Sequence, residues 1–206
     1  MKKKRKGRGM AKGSSFERDI CKQLSLWWTD GERDDVFWRT SGSGARAKVR
    51  SKTGDKTFGQ HGDVQATDPI GQPLIDLCSI ELKRGYNKAI INDFIDSKKK
   101  SELRVFIEQA ITDCRLREDE SEWILLVKRD RKEVVLFTSY YFFKDFSVIN
   151  KGRKTKFPMI HMRVKINKRW MRIAAIRFDD FLSHNTPVMI RKVWKWKIGR
   201  KEVTNA

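Results

Sequence analysis

The sequence predicts a mixed α/β architecture: a β-sheet flanked by helices in the order α-β-β-β-α-β, followed by a β-rich C-terminal extension. Three observations carry this prediction. Apolar residues recur at helical spacing in residues 14–28 and again in 103–114. Short runs of strand length lie between and after them, at 36–40, 64–67, 74–83, 123–128 and 133–138. Hydrophobic residues make up 39% of a 206-residue chain, enough to fill one core. A sheet covered by helices is the stable solution for such an order of elements.

The elements follow in turn. Residues 1–12 (MKKKRKGRGMAK) are basic and almost free of apolar side chains, which predicts a disordered arm that contacts phosphates. A short basic run of this kind also resembles a nuclear localisation signal. Phe16, Ile20, Leu24 and Trp27 mark the first helix, with Ser14 as its cap and Glu17 three residues on, the spacing of a capping box. Residues 36–40 form a short strand. Residues 41–60 are rich in Gly, Ser, Lys and Arg, the composition of a long cationic loop. Residues 64–67 and 74–83 are read as the two strands of a hairpin around the turn at 68–73, which holds Asp68, Pro69, Gly71 and Pro73.

A short helix is expected at 89–95, then a Lys98-Lys99-Lys100 run, then the amphipathic helix carrying Leu103, Ile107, Ala110, Ile111 and Cys114. Strands at 123–128 and 133–138 flank a charged turn. Residues 13–138 therefore form the predicted core, and 139–206 an extension packed on it. Within the extension, a hairpin turns at Asn167-Lys168 and a short helix covers 178–182. Residues 188–198 alternate Trp194 and Trp196 with Lys195 and Lys197, which reads as a strand with its tryptophans in the core.

Charge is the strongest bulk signal. Lys and Arg number 46 against 26 Asp and Glu, a formal net charge of +20. A surplus of this size favours a polyanionic partner through counterion release. No apolar run reaches the length of a membrane span, and the basic start lacks the apolar core of a secretory signal. Cys21, Cys78 and Cys114 are far apart and show no CxxC spacing, as expected of reduced thiols in a cytoplasmic protein.

The chemistry concentrates in Ile80-Glu81-Leu82-Lys83 and the upstream Gly62-Asp63. Side chains at i and i+2 of a strand share a face, so Glu81 and Lys83 project together while Ile80 and Leu82 face a core. A hairpin brings Asp63, before the outgoing strand, back to the end where Glu81 stands. Asp76 is closer in sequence, but five residues along a strand is an odd offset and points it to the other face; Asp68 sits in the far turn. Two carboxylates and an ammonium on one face suit metal-assisted phosphodiester hydrolysis. His61, beside Asp63, is a second candidate base, in a position that Lys83 already fills.

The pieces Gly13-Ser14-Ser15-Phe16-Glu17-Arg18, Arg39-Thr40-Ser41-Gly42-Ser43-Gly44, Gly62-Asp63-Val64 and Ile80-Glu81-Leu82-Lys83 resemble the PD-(D/E)xK nuclease superfamily. Within it the chain looks most like the archaeal-type Holliday junction resolvases, many of whose relatives are phage-encoded. The helix with Glu108-Gln109-Ala110 and the following strand at 123–128 continue the match, which runs over residues 13–138. The first motif position is Gly62-Asp63 where the family has Pro-Asp.

The resemblance implies a restriction-endonuclease-like sheet and a role for each matched residue. Asp63 and Glu81 would be the principal metal ligands, with the Leu82 carbonyl and Glu17 as further ones. Lys83 would position the attacking water. Ser43 or Ser41 would approach the scissile phosphate, Arg39 would clamp it, and Gln109 would support the site from the neighbouring helix. Arg46, Lys48, Arg50 and Lys52 in the cationic loop, with Arg84 beside Lys83, are the expected DNA contacts. Hard oxygen ligands imply Mg2+, with Mn2+ as a substitute. The implied activity is a structure-selective endonuclease acting on branched DNA as a homodimer. A restriction- or repair-type endonuclease of the same fold, and a DNA-binding protein without catalysis, are the alternatives.

Overall fold

The structure is a computed structural model and describes residues 8–40, 62–96, 101–117, 121–149 and 159–204. Ser41, Ser43, Arg46, Lys48, Arg50, Lys52, His61 and the Lys98-Lys99-Lys100 run lie outside the described residues.

A central five-stranded sheet is covered by helices on both faces. Its strands are β3 (Cys78–Arg84), β4 (Glu122–Lys128), β5 (Val134–Ser139), β6 (Met159–Ile166) and β7 (Arg169–Arg177), in the order β3-β4-β5-β7-β6. The β3–β4 pair is parallel and the rest antiparallel. Two short strands, β1 (Phe37–Arg39) and β2 (Val64–Ala66), pair antiparallel with each other. This is a mixed α/β architecture with a helix-flanked sheet, consistent with a restriction-endonuclease-like fold.

The pleat sorts the side chains into two cores. Ile80 and Leu82 of β3, with Ile124 and Leu126 of β4, face the larger one. It is completed by α1 (Arg8–Trp28), α2 (Gln72–Leu77), α5 (Tyr140–Ile149), α6 (Phe178–His184) and α7 (Pro187–Thr204). The opposite face carries Trp123, Leu125 and Val127 under α4 (Glu102–Arg115), through Leu103, Phe106, Ile107, Ala110 and Ile111. A four-residue helix, α3 (Asn92–Ile95), precedes α4. The Ser101 hydroxyl caps α4 by accepting from the Arg104 N–H at 3.4 Å.

Buried polar contacts join distant segments. Ser25 Oγ donates to the Cys21 carbonyl at 2.8 Å and accepts from the Phe37 N–H at 2.9 Å, pinning β1 to α1. Trp27 Nε1 donates to the Leu182 carbonyl at 2.9 Å, fastening α1 to α6. Strand β7, from the segment marked as an extension, pairs with β5 from Val135↔Arg177 to Ser139↔Ile173. Phe142, Phe146, Phe178 and Ile190 from that segment also lie in the larger core.

Three expectations about local structure are corrected. Helix α1 begins at Arg8, so residues 8–12 are helical backbone, Ser14 sits inside the helix and the Ser14–Glu17 capping box does not form. Residues 74–77 belong to α2 and not to a strand. Asp68 Oδ1 accepts from the Ile70 N–H at 3.0 Å to start a 3-10 turn, and Pro73 suits the first helical turn that follows. A short apolar run such as Leu74-Ile75 does not by itself distinguish helix from strand. There is accordingly no hairpin between β2 and β3.

The third correction concerns Trp194 and Trp196, which lie on helix α7. Thr186 opens it by accepting from the Met189 N–H, with Pro187 in the first position. Met189, Ile190 and Val193 are buried at helical spacing, and both tryptophans are partly buried. The expected hairpin at Asn167-Lys168 forms. Both residues take positive φ, 46° and 64°, as a two-residue turn between twisted strands requires.

Candidate active site

The β3 strand lies at the edge of the sheet, and Asp63 occupies its outer side. The Asp63 N–H donates to the Ile80 carbonyl at 2.7 Å, and Asp63 Oδ2 accepts from the Leu82 N–H at 2.8 Å. One residue thus satisfies two backbone groups that an edge strand leaves open. The Thr40 N–H donates to the Asp63 carbonyl at 2.9 Å, tying the end of β1 to the same point. Asp63 and Glu81 therefore converge as expected, but by Asp63 docking on a strand edge.

Gly62 makes this docking possible. Its φ is +81°, and a Cβ on it would lie 2.6 Å from the Ile80 carbonyl oxygen. Proline, fixed near φ −65°, cannot adopt that backbone. The Gly-Asp departure from Pro-Asp is thus a steric consequence of how closely the chain passes β3.

On the α4 face of β3, Glu81 and Lys83 project together. Lys83 Nζ is 2.6 Å from Glu81 Oε1. Gln109 Nε2, from α4, donates to the same oxygen at 3.0 Å. Lys83 also lies 5.6 Å from the centre of the Phe106 ring, which packs edge-on with Tyr86 at 4.7 Å. Phe106 and Tyr86 were not singled out in the sequence. The available signal was that Phe106 is three residues before Gln109 and so shares its helix face.

Glu17 approaches from α1, and Arg39 Nη1 lies 3.5 Å from its Oε2. The expected phosphate clamp is thus paired with an expected metal ligand. Arg84 ends β3 in register with Lys128 and is partly exposed. Asp76 is on α2, where it accepts from Gln72 at 2.7 Å, away from this cluster.

The electrostatics are those of crowded acids. Asp63 is 5% exposed and Glu81 is 7% exposed. Burial first, and then the charge of Glu81, push the Asp63 carboxyl up to about 7, against the Leu82 N–H and Lys83, which lower it. Burial opposes the Lys83 ammonium, yet the charge and hydrogen bond of Glu81 prevail and raise it above its ordinary value. Burial drives the Cys21 thiol up to about 12, with Glu17 and Asp63 adding to the effect, so Cys21 is an inert neighbour.

Among the described residues, no group of three or more His, Cys, Asp or Glu is drawn together in a way that could hold a metal ion. Part of the reason is visible. Glu81 Oε1 is engaged by Lys83 and Gln109, and Glu17 by Arg39. The donor chemistry nonetheless fits a hard divalent cation. Two buried carboxylates repel each other, and Mg2+ is commonly held by only one or two protein carboxylates together with waters and substrate oxygens. Asp63 and Glu81 are the residues that would hold it.

No helix among the described residues is long and apolar enough to cross a membrane. No curated protein and no solved structure matches the chain. A family model does match, over residues 9–192, and its description is "Phage putative PDDEXK endonuclease". That span takes in α1, the Gly62-Asp63 turn, β3 with Glu81 and Lys83, and α4 with Gln109, and it supports a general nuclease function: the chain belongs to this phage PD-(D/E)xK endonuclease family.

Proposed function

We propose that the protein is a Mg2+-dependent, structure-selective DNA endonuclease that resolves four-way junctions by phosphodiester hydrolysis, acting as a homodimer. The observation that carries the reading is the meeting of Asp63, Glu81, Lys83 and Gln109 at one strand edge, within a phage endonuclease family. A bound Mg2+ would supply Lewis-acid activation of a water and charge neutralisation at the phosphate. Asp63 and Glu81 bring the two carboxylates into one buried site. Gln109 and Lys83 fix the rotamer of Glu81 through its Oε1 oxygen. Lys83, kept protonated by Glu81, orients a water or offsets charge on the phosphate. Arg39 exchanges Glu17 for a phosphate, and Glu17 is then released toward the carboxylate pair.

The cationic segment 41–61 begins after Thr40 and ends before Gly62, and both of these residues lie beside Asp63. Arg46, Lys48, Arg50, Lys52 and Arg84 are the proposed phosphate contacts. Ser41 and Ser43 are the proposed serine contacts to the scissile phosphate. The excess of positive charge supports a nucleic-acid substrate, and paired nicks across a junction require two sites.

The test is cleavage of a synthetic four-way junction against a linear duplex of the same sequence in Mg2+ or Mn2+. Preferential, symmetric nicking of the junction is expected. Equal cleavage of the duplex would remove junction selectivity and leave a restriction- or repair-type endonuclease. Tight binding without any cleavage would leave a DNA-binding protein.

A further inference from the structure

The β6–β7 hairpin carries a second cluster, at the opposite edge of the sheet from Asp63. Residues 159–177 contain six Lys and Arg and no Asp or Glu. The cross-strand pairs Arg163↔Arg172 and Lys165↔Trp170 place three of these cations and Trp170 on one face, a cluster of four. Val164, Ile166, Met171 and Ile173 turn the other way, toward the α4 core. All four members of the cluster are exposed, and Trp170 is 60% exposed. The Arg163 guanidinium lies 5.2 Å from the centre of the Trp170 ring. His161, packed on Tyr140 at 4.9 Å, extends the same face toward α5.

Two features need an explanation. Like charges directly opposite each other in a sheet are unfavourable. Yet Arg163 faces Arg172, and among the described residues no carboxylate pairs with Arg163, Lys165 or Arg172. Protection of a free sheet edge would account for cations on β6. It does not account for Arg172 and an exposed tryptophan on β7, which is an interior strand.

We propose that this face binds an unpaired nucleic-acid strand. Arg163, Arg172 and Lys165 take the backbone phosphates, and Trp170, held by Arg163 against one side of its ring, offers the other side to a base. Four strand spacings separate β3 from β6, roughly 19 Å, so this surface lies apart from the carboxylates. The surface selects substrates with unpaired segments and takes no part in the hydrolysis. Identifying the strand as DNA rests on the nuclease reading above.

The experiment measures binding in EDTA, by anisotropy of a labelled single strand, a forked duplex with unpaired arms and a blunt duplex. Trp170→Ala should weaken the single strand and the fork about tenfold or more and leave the blunt duplex unchanged, while Trp170→Phe retains most of the affinity. The double variant Arg163→Ala/Arg172→Ala should reduce the salt slope on the single strand by about 1.4. The proposal is overturned if Trp170→Ala binds the single strand like the wild type, if it loses the blunt duplex equally, or if polyaspartate displaces the strand as well as unlabelled DNA does. The readout requires neither metal nor cleavage. A protein that cuts no DNA would sink the nuclease and leave this surface standing, and wild-type binding by the variants of a cutting enzyme would do the reverse.

Discussion

Two lysine–glutamate pairs in this molecule have the same length and opposite meanings. Lys83 Nζ lies 2.6 Å from Glu81 Oε1, and Lys197 Nζ lies 2.6 Å from Glu122 Oε1. In both, burial opposes the ammonium and the glutamate charge outweighs it. The first pair joins neighbours on one strand face and closes no tertiary contact. The second joins α7 to the start of β4, and Asp145 of α5 adds a second carboxylate at 3.7 Å from Lys197. Distance alone does not distinguish them. What does is the company: beside Lys83 and Glu81 the buried Asp63 carboxyl is pushed up by burial and by the charge of Glu81, whereas Lys197 bridges carboxylates from two other elements, Glu122 of β4 and Asp145 of α5. Crowded acids at a strand edge fit a site, and a lysine bridging carboxylates of distant segments fits a clasp.

Breaking each pair should separate these roles. Under the nuclease reading, Lys83→Ala, Asp63→Asn and Glu81→Gln should each lower single-turnover cleavage by about 10²–10⁴-fold while DNA binding in EDTA holds. Cleavage that survives all three would end the assignment. Lys197→Ala should instead leave the intrinsic rate intact and destabilise the fold by about 1–3 kcal/mol, read by urea unfolding, because Glu122 loses its partner.

Gly62→Ala tests the scaffold beneath Asp63. A positive φ and a 2.6 Å clash with the β3 backbone should cost about 1–3 kcal/mol and cut cleavage together with stability. Gln109→Ala is the milder change to the site, with a loss of roughly tenfold in activity and a need for more Mg2+, measured by metal titration.

The remaining effect is a pH dependence. Asp63 holds its proton more tightly folded, to about 7, than unfolded, near its ordinary 3.8. Its stabilising share is therefore complete below pH 4 and is lost as pH rises to about 7. Metal-free protein should lose several degrees of melting temperature across that window. Asp63→Asn should flatten the trend, and Mg2+ should restore the wild type above pH 7. A melting temperature that does not fall across the window would show that Asp63 is not held against its charge preference.

Much of the site was legible because it is local. Glu81-x-Lys83 needs only strand periodicity to share a face, whereas Gln109 entered only through the resemblance to the nuclease superfamily. The route by which Asp63 arrives was not legible. Residues 68–77 read as turn and strand but form a 3-10 turn and a helix, since apolar spacing over four residues fits both. The Trp194-Lys195-Trp196 alternation misled in the same way, although Thr186-Pro187 was a helix start in plain view.

By itself the sequence determined the helix-flanked α/β order, the polyanion-seeking charge and the acids and lysine of the motif, because these depend on composition and short-range periodicity. Tertiary structure decided which groups act on one another. It set Asp63 on the open edge of β3, turned Arg39 to Glu17, drew β6 and β7 into the main sheet and left Trp170 bare beside Arg163. Those outcomes rest on contacts between residues far apart in the chain, where packing and burial override local preference.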